Sequence, residues 1–307
     1  MNEQSPDLVA RAAARLRQAG ARRSTAAPAA PIAEALVSQG AVAPPTVPPP
    51  EQTPEYRSKL ITIDRGALAR TGASVPGGAR TRTSEEFRII KRQIVFNARA
   101  RPNVDAGERS GRLIMVTSTK PREGKTFTAL NLALSLASEQ DLRVLLVDLD
   151  VHRKSLTELF GVSADVGWVD LLAGSAVSFP EALLRTNIHN LNFLPAGHTA
   201  LDAPELLSSR RMTALLAEMT QRYADRFIIF DAPPCLASSE PSILADLVGQ
   251  IVFVVEAHKT EREEIEASLR LISGCSNISL LLNKADTRNL DEFGSYSAYY
   301  APEGQPN

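Results

Sequence analysis

A glycine, a lysine and a threonine stand together at Gly124-Lys125-Thr126, and three aspartates, Asp148, Asp150 and Asp231, follow at the ends of apolar runs. These are the residue types that a phosphoanhydride requires. Backbone N–H groups and a cation hold phosphate oxygens, while a hydroxyl and carboxylates hold a divalent metal. In the stretch Leu113 to Asn131, LIMVTSTKPREGKTFTALN, an apolar run opens into a small polar loop and then an Ala- and Leu-rich helical pattern. The order is strand, phosphate loop, helix. Gly124 lets the backbone approach phosphate closely, Lys125 suits the β and γ phosphates, and the Thr126 hydroxyl suits Mg²⁺. Thr119 stands where the pattern GxxxxGK[ST] has its first glycine, so the match is degenerate and needs support from elsewhere. The candidate phosphate-contacting residues are Thr119, Lys120, Pro121, Arg122, Glu123, Gly124, Lys125, Thr126 and Phe127.

Support comes from two further strand ends. Arg143 to Val147 is β-branched and Leu-rich and ends in Asp148-Leu149-Asp150; Phe227 to Phe230 ends in Asp231-Ala232-Pro233-Pro234. The carboxyl ends of parallel strands line one crevice, which would set all three aspartates opposite Lys125 and Thr126 as an Mg²⁺-nucleotide site. Any one aspartate alone could merely terminate a strand; three in the right order argue against coincidence.

The elements that must position these groups alternate. After a helix from Thr126 to about Ser138 comes the Asp148 strand, then an irregular stretch from His152 to Gly197. That stretch has helical signals at Val169 to Leu172 and Glu181 to Leu184, and a strand at Leu191 to Leu194. A helix from about Arg211 to Tyr223 precedes the Asp231 strand. Helix Ser242 to Leu247, strand Ile251 to Val255, helix Glu261 to Ile272 and strand Ile278 to Leu282 complete the series. Nearly all-apolar strands between helices predict an α/β fold, a mainly parallel, doubly wound sheet with helices on both faces.

The remainder of the 307 residues organises around that domain, taken as 111–288. Residues 1–56 are Ala-rich and hold nine of the twenty prolines, a composition that reads as disordered, with Leu8, Ala12 and Leu16 marking at most one short helix. Residues 57–110 read as a basic linker and a helix, SEEFRIIKRQIVFNA, capped by Ser84, with Glu85, Arg88 and Lys91 on one face. Residues 289–307 read as a flexible tail.

Residues 1–112 carry eighteen Lys and Arg against ten Asp and Glu, and the rest sixteen against twenty-five. With a net charge of −1 there is no electrostatic case for nucleic acid, although the basic front half suits an acidic partner, a neighbouring subunit or anionic lipid. No apolar run approaches the roughly 18 residues of a membrane span, and a cytoplasmic location is expected. Cys235 and Cys275 lack metal-ligand spacing and fit free thiols.

The last strand delivers Asn283-Lys284-Ala285-Asp286. Asn283 could meet a purine edge there, and the same four residues match the NKxD pattern by which GTPases hold guanine. Three of the five tyrosines, Tyr296, Tyr299 and Tyr300, fall within the last twelve residues, where no apolar periodicity calls for them. Their hydroxyls then become the point of the segment.

From about Arg82 onward the chain resembles the bacterial tyrosine kinase family, the P-loop autokinases of exopolysaccharide and capsule loci, and most of all those without membrane spans. The matching stretches are TSTKPREGKT (Walker A), VLLVDLD (Walker A′), FIIFDAPP (Walker B), HKTEREEIEASLRLI, LLLNKAD, EEFRIIK and the tyrosine cluster. The resemblance implies ATP and Mg²⁺ as cofactors, Lys125 on the β and γ phosphates, and Thr126, Asp148, Asp150 and Asp231 around the metal. Asp148 would lie nearest the incoming tyrosine, with Lys125, Asp148 and Asp150 as the catalytic set and Tyr296, Tyr299 and Tyr300 as autophosphorylation sites. It also implies a homo-oligomeric ring with Glu85, Arg88 and Lys91 at the contact. A membrane chain-length regulator would act as activator at the inner membrane, opposed by a cognate phosphatase.

Three positions depart from the family pattern. His152 replaces a frequent Arg, Arg122 a frequent loop Gly, and Lys91 an Arg that is the better bidentate partner. A rival reading takes Lys120, in KxxxGKT spacing, as the signature lysine of the partitioning and septum-positioning ATPases. Water would then accept the phosphoryl group and the tyrosines would have no use. A GTP-binding module rests on NKAD alone.

Overall fold

The computed structural model describes residues 58–100, 110–163, 166–198, 203–222 and 226–285. The Ala- and Pro-rich front segment, Asp286 and the three tail tyrosines lie outside the described residues.

In chain order the elements are β1 (Leu60–Ile61), α1 (Arg65–Arg70), α2 (Arg82–Ala100), β2 (Leu113–Ser118), α3 (Lys125–Ala137), β3 (Arg143–Asp148), α4 (Ser155–Leu159), α5 (Trp168–Ala173) and α6 (Phe179–Ala182). Then follow β4 (Leu184–Thr186), β5 (Leu191–Leu194), α7 (Ala203–Leu207), α8 (Arg210–Arg222), β6 (Arg226–Asp231), α9 (Glu240–Ala245), β7 (Gln250–Glu256), α10 (Arg262–Leu271) and β8 (Ile278–Asn283). The eight strands form one sheet in the order β1-β4-β5-β3-β6-β2-β7-β8. Every pairing is parallel except β4 with β5. The expected mainly parallel, doubly wound α/β fold is borne out.

Its core has two faces because side chains alternate along each strand. Leu113 and Met115 of β2, Leu145 and Val147 of β3, and Ile228 and Phe230 of β6 pack on one side with α8 and α9. Ile114 and Val116, Val144 and Leu146, and Phe227 and Ile229 pack on the other with α2 and α3. Both sides of these strands are dry, which is why their sequences are apolar without alternation. Among the described residues no helix is long and apolar enough to cross a membrane. Both cysteines are free and buried, and burial pushes the Cys235 thiol up to about 11.

Four local expectations change. Helix α2 is capped by Thr81, not Ser84. The Thr81 hydroxyl accepts the Ser84 N–H at 3.1 Å and the Ser84 hydroxyl accepts the Thr81 N–H at 2.9 Å, a reciprocal cap that moves the start three residues toward the N-terminus. The helical signal at Glu181 to Leu184 stops early, because Leu183 turns extended (φ −74°, ψ 126°) and feeds β4. The stretch from His152 contains α4, a helix too short to show periodicity. Within 57–110, β1 joins the sheet and α1 follows, capped by Asp64.

Candidate active site

Register places the acids. Asp148, the last residue of β3, is the direct partner of Asp231, the last residue of β6, and Asp231 in turn lies opposite Val116 of β2. The three adjacent strand ends therefore bring Asp148, Asp231 and the loop Thr119–Gly124 to one edge, as expected.

The loop is held at both ends. At its start, the carbonyls of Ser118 and Thr119 accept N–H bonds from Cys235 and Leu236, in the segment that follows Asp231. Thr119 is fully buried and is not among the residues with positive φ, so its position does not demand the glycine of the pattern. Arg122 does adopt φ 73°, the left-handed region that favours Gly. Gly124 (φ 102°, ψ 18°) begins α3 with no side chain capping it. The first-turn N–H groups of that helix are thus left to an anion.

Lys125 is 5% exposed, and its ammonium lies 2.9 Å from Asp150 and 3.8 Å from Asp231. Burial alone would lower its pKa; the charges of Asp231 and Asp150 override that and hold it above the ordinary value. Both oxygens of Asp231 are buried with no hydrogen bond of ordinary length; the Lys125 ammonium stands off at 3.8 Å and the Thr126 hydroxyl faces the same carboxylate. Burial pushes Asp231 up to about 6 against the opposing pull of Lys125. Burial, together with the Asp231 charge, pushes Asp148 up to about 7. Asp148 is anchored by the Thr157 hydroxyl (2.9 Å) and N–H (3.1 Å), donors from α4.

These groups fit ATP and Mg²⁺. An uncapped helix start and a buried lysine suit phosphate, and the orphaned oxygens of Asp231 suit a cation. Among the described residues no three acidic, imidazole or thiol groups form a closed metal cage. Mg²⁺ does not need one, since it commonly takes one or two carboxylates and completes its shell with water and phosphate.

Other candidates are used differently. The Lys120 ammonium is 2.7 Å from Glu264 of α10. Glu123 is buried, and its carboxylate accepts the Lys120 N–H at 2.8 Å and the Thr260 hydroxyl at 2.5 Å. Asn283 donates its amide to the Glu123 carbonyl, and Lys284 reaches the Arg122 carbonyl at 2.7 Å and Glu256 at 3.2 Å. Asn283 and Lys284 of the NKAD motif therefore brace the loop. The Phe127 ring packs edge-on against Phe87 of α2, with centroids 6.2 Å apart, while Pro121 and Arg122 are exposed. Sequence reasoning missed Thr157, Thr260, Glu256 and Glu264; only the last three sit near a stretch it had singled out.

On α2, Glu85 pairs with Arg88 at 2.8 Å, whereas Lys91 is drawn to Glu139, beyond the end of α3.

The profile of a family described as AAA domain matches residues 111–273, more than half of the chain. The chain belongs to that family. The chain is 29% identical over 235 residues to tyrosine-protein kinase YwqD of Bacillus subtilis (strain 168), spanning 76% of this chain and 94% of that protein. It is 26% identical over 222 residues to the putative tyrosine-protein kinase CapB of Staphylococcus aureus, spanning 72% and 91%. Among solved structures, the VpsO kinase domain is 31% identical with a TM-score of 0.52, covering 66% of this chain and 98% of that one. The kinase domain of Escherichia coli tyrosine kinase ETK, at 22% identity, shares the fold with a TM-score of 0.60 over 76% and 90%. The resemblance to the bacterial tyrosine kinases, and the kinase assignment with it, is borne out.

Proposed function

We propose that the chain is an ATP-dependent protein-tyrosine autokinase that phosphorylates Tyr296, Tyr299 and Tyr300 in trans and thereby regulates exopolysaccharide synthesis or export. The observation that carries the reading is the placement of Lys125 beside Asp231, whose buried oxygens are unsatisfied, at the start of an uncapped helix. Such a site is incomplete until a phosphate and a cation enter it.

Mg²⁺-ATP, when bound, supplies the phosphoryl group and much of the charge neutralisation. Lys125 exchanges its carboxylate partners for the β and γ phosphates. Thr126, Asp231 and Asp150, with Asp148 beside them, would hold Mg²⁺, which would supply charge neutralisation on the phosphates. Asp148, whose carboxyl burial and the Asp231 charge push up to about 7 in the nucleotide-free chain, takes the phenolic proton as the tyrosyl oxygen bonds to phosphorus and ADP leaves. Positioning and charge stabilisation supply most of the rate, so no covalent enzyme intermediate is needed.

Glu85 and Arg88, with Lys91 beside them, form the contact between copies in a ring. A membrane chain-length regulator activates the kinase at the inner-membrane surface, and a cognate phosphatase resets it. The switch-ATPase alternative loses support because Lys120 is already committed to Glu264 within its own chain.

The test is intact mass followed by peptide mapping after incubation with Mg²⁺-ATP, alongside Lys125→Met. Phosphate on Tyr296, Tyr299 or Tyr300 in the wild type only is the expected result. Released phosphate without mass gain would reject the kinase in favour of hydrolysis.

A further inference from the structure

Away from the nucleotide site, the segment before α2, one side of α2 and the end of α3 line an open cavity of about 350 Å³. That lies within the roughly 300–1,000 Å³ typical of small-ligand pockets. Its rim is preformed. The Gly78 N–H bonds the Val75 carbonyl at 3.0 Å, Gly77 adopts φ 78°, and Pro76 precedes it, which makes Val75 to Gly78 a type II turn. Arg65 pins the turn by donating to the Pro76 carbonyl at 2.9 Å.

The charge of the lining is unbalanced. Arg80, Arg88, Lys91 and Arg92 face a single acid, Glu139. Lys91 is neutralised by Glu139 and Arg88 by Glu85, but Arg80 and Arg92 have no carboxylate partner among the described residues. The Ser74 hydroxyl, also in the lining, is buried without a hydrogen bond. Two guanidinium groups without a carboxylate partner among the described residues match a phosphate monoester, which carries about −1.5 to −2 at neutral pH. Arginine forks are a usual means of holding it.

We propose that this cavity, in a copy whose Arg88 and Lys91 are not engaged in the ring contact proposed above, binds a phosphotyrosyl side chain carried on the tail of a second copy of this chain; the choice of source rests on the autokinase reading. A concave cavity behind a fixed turn suits one inserted side chain rather than a layer of lipid headgroups. Val75 and Pro76 supply an apolar wall for the ring, which a bare phosphate would not use. The site would read the product of the kinase, apart from the crevice that makes it.

The experiment uses the full, phosphatase-treated chain and fluorescent synthetic peptides of residues 289–307, unphosphorylated or phosphorylated at Tyr299 and Tyr300, followed by anisotropy. The phosphopeptide is expected to bind at least tenfold tighter than its unphosphorylated form. Arg80→Gln with Arg92→Gln is expected to lower that affinity at least tenfold while ATP affinity stays unchanged. Equal binding of the two peptides, or undiminished phosphopeptide binding by the double variant, overturns the proposal. So does binding of phosphatidylserine-containing vesicles through Arg80 and Arg92 with no preference for the phosphopeptide. If the pair disturbs folding, Arg80→Gln alone decides, with at least a threefold loss expected and no loss overturning the site. Phosphopeptide binding does not depend on catalysis, so a chain that binds but never autophosphorylates would retain the cavity and lose the kinase reading.

Discussion

The side-chain amide of Asn283 donates to the backbone carbonyl of Glu123 at 2.8 Å, and the same nitrogen stands 2.0 Å from where a β-carbon on Gly124 would lie. The end of β8 thus closes directly over the phosphate loop. Gly124→Ala meets both that contact and the strain of φ 102°, a conformation costing an L-residue about 1–2 kcal/mol or more. Nucleotide affinity is expected to fall more than tenfold, measured with a fluorescent ATP analogue. Adding Asn283→Ala relieves the contact but not the strain, so recovery should be less than half. Full recovery would mean that the backbone tolerates alanine and only the contact mattered.

Glu123 holds the loop from within. Glu123→Ala leaves the Lys120 N–H and the Thr260 hydroxyl without their acceptor, at about 1–3 kcal/mol for a buried unsatisfied group. Chemical denaturation should show that loss, with weaker ATP binding beside it. Glu123→Gln keeps an acceptor and should retain most of both; if glutamine and alanine behave alike, the carboxylate is not a brace.

Two raised carboxylates give the nucleotide-free protein a pH dependence of known sign. Asp148 (to about 7) and Asp231 (to about 6) bind protons more tightly folded than unfolded. Their contribution to stability is therefore full below the ordinary carboxylate range, near pH 4, and is lost as pH rises through 6 and 7. Asp231→Asn mimics the protonated form, so its melting temperature should exceed that of the wild type by a margin that widens between pH 5 and 8. Parallel curves would show that Asp231 is not titrating in this window.

On α2 the three expected contact residues divide. Glu85→Ala with Arg88→Ala should lower both assembled mass, by light scattering, and autophosphorylation. Lys91→Ala should instead loosen the tie to Glu139 by no more than about 1 kcal/mol, since Glu139 is half exposed, with a smaller change in mass. A larger loss of mass from Lys91→Ala than from the double variant would reverse these roles.

The sheet and its acid-bearing edge were legible because the central strands are buried on both faces. Continuous apolar runs ending abruptly in Asp148 and Asp231 leave few other readings. The braces were not legible. Lys120 meets Glu264 across 144 residues and Glu123 meets Thr260 across 137, and no local spacing encodes either meeting. From type alone Lys120 and Glu123 read as phosphate-facing. Strand β1 escaped for a similar reason: the Asn187 amide holds the Ile63 backbone from 124 residues away, while the strand itself is two residues long. The degenerate Thr119 also has a tertiary explanation, since the left-handed backbone falls at Arg122, where Lys284 secures the carbonyl.

The chain leaves the sheet at Asn283 and Lys284, both fastened to the phosphate loop. Tyr296 follows Lys284 by twelve residues, a tether of at most about 40 Å fully extended. Under the trans-autokinase reading proposed above, an acceptor tyrosine on so short a tether would be presented at an effective concentration on the order of millimolar to any crevice within reach. Encounter is then set by tether length and by the spacing of copies. A strong intrinsic affinity for tyrosine is unnecessary, and lengthening the tether would slow the reaction without touching a single catalytic group.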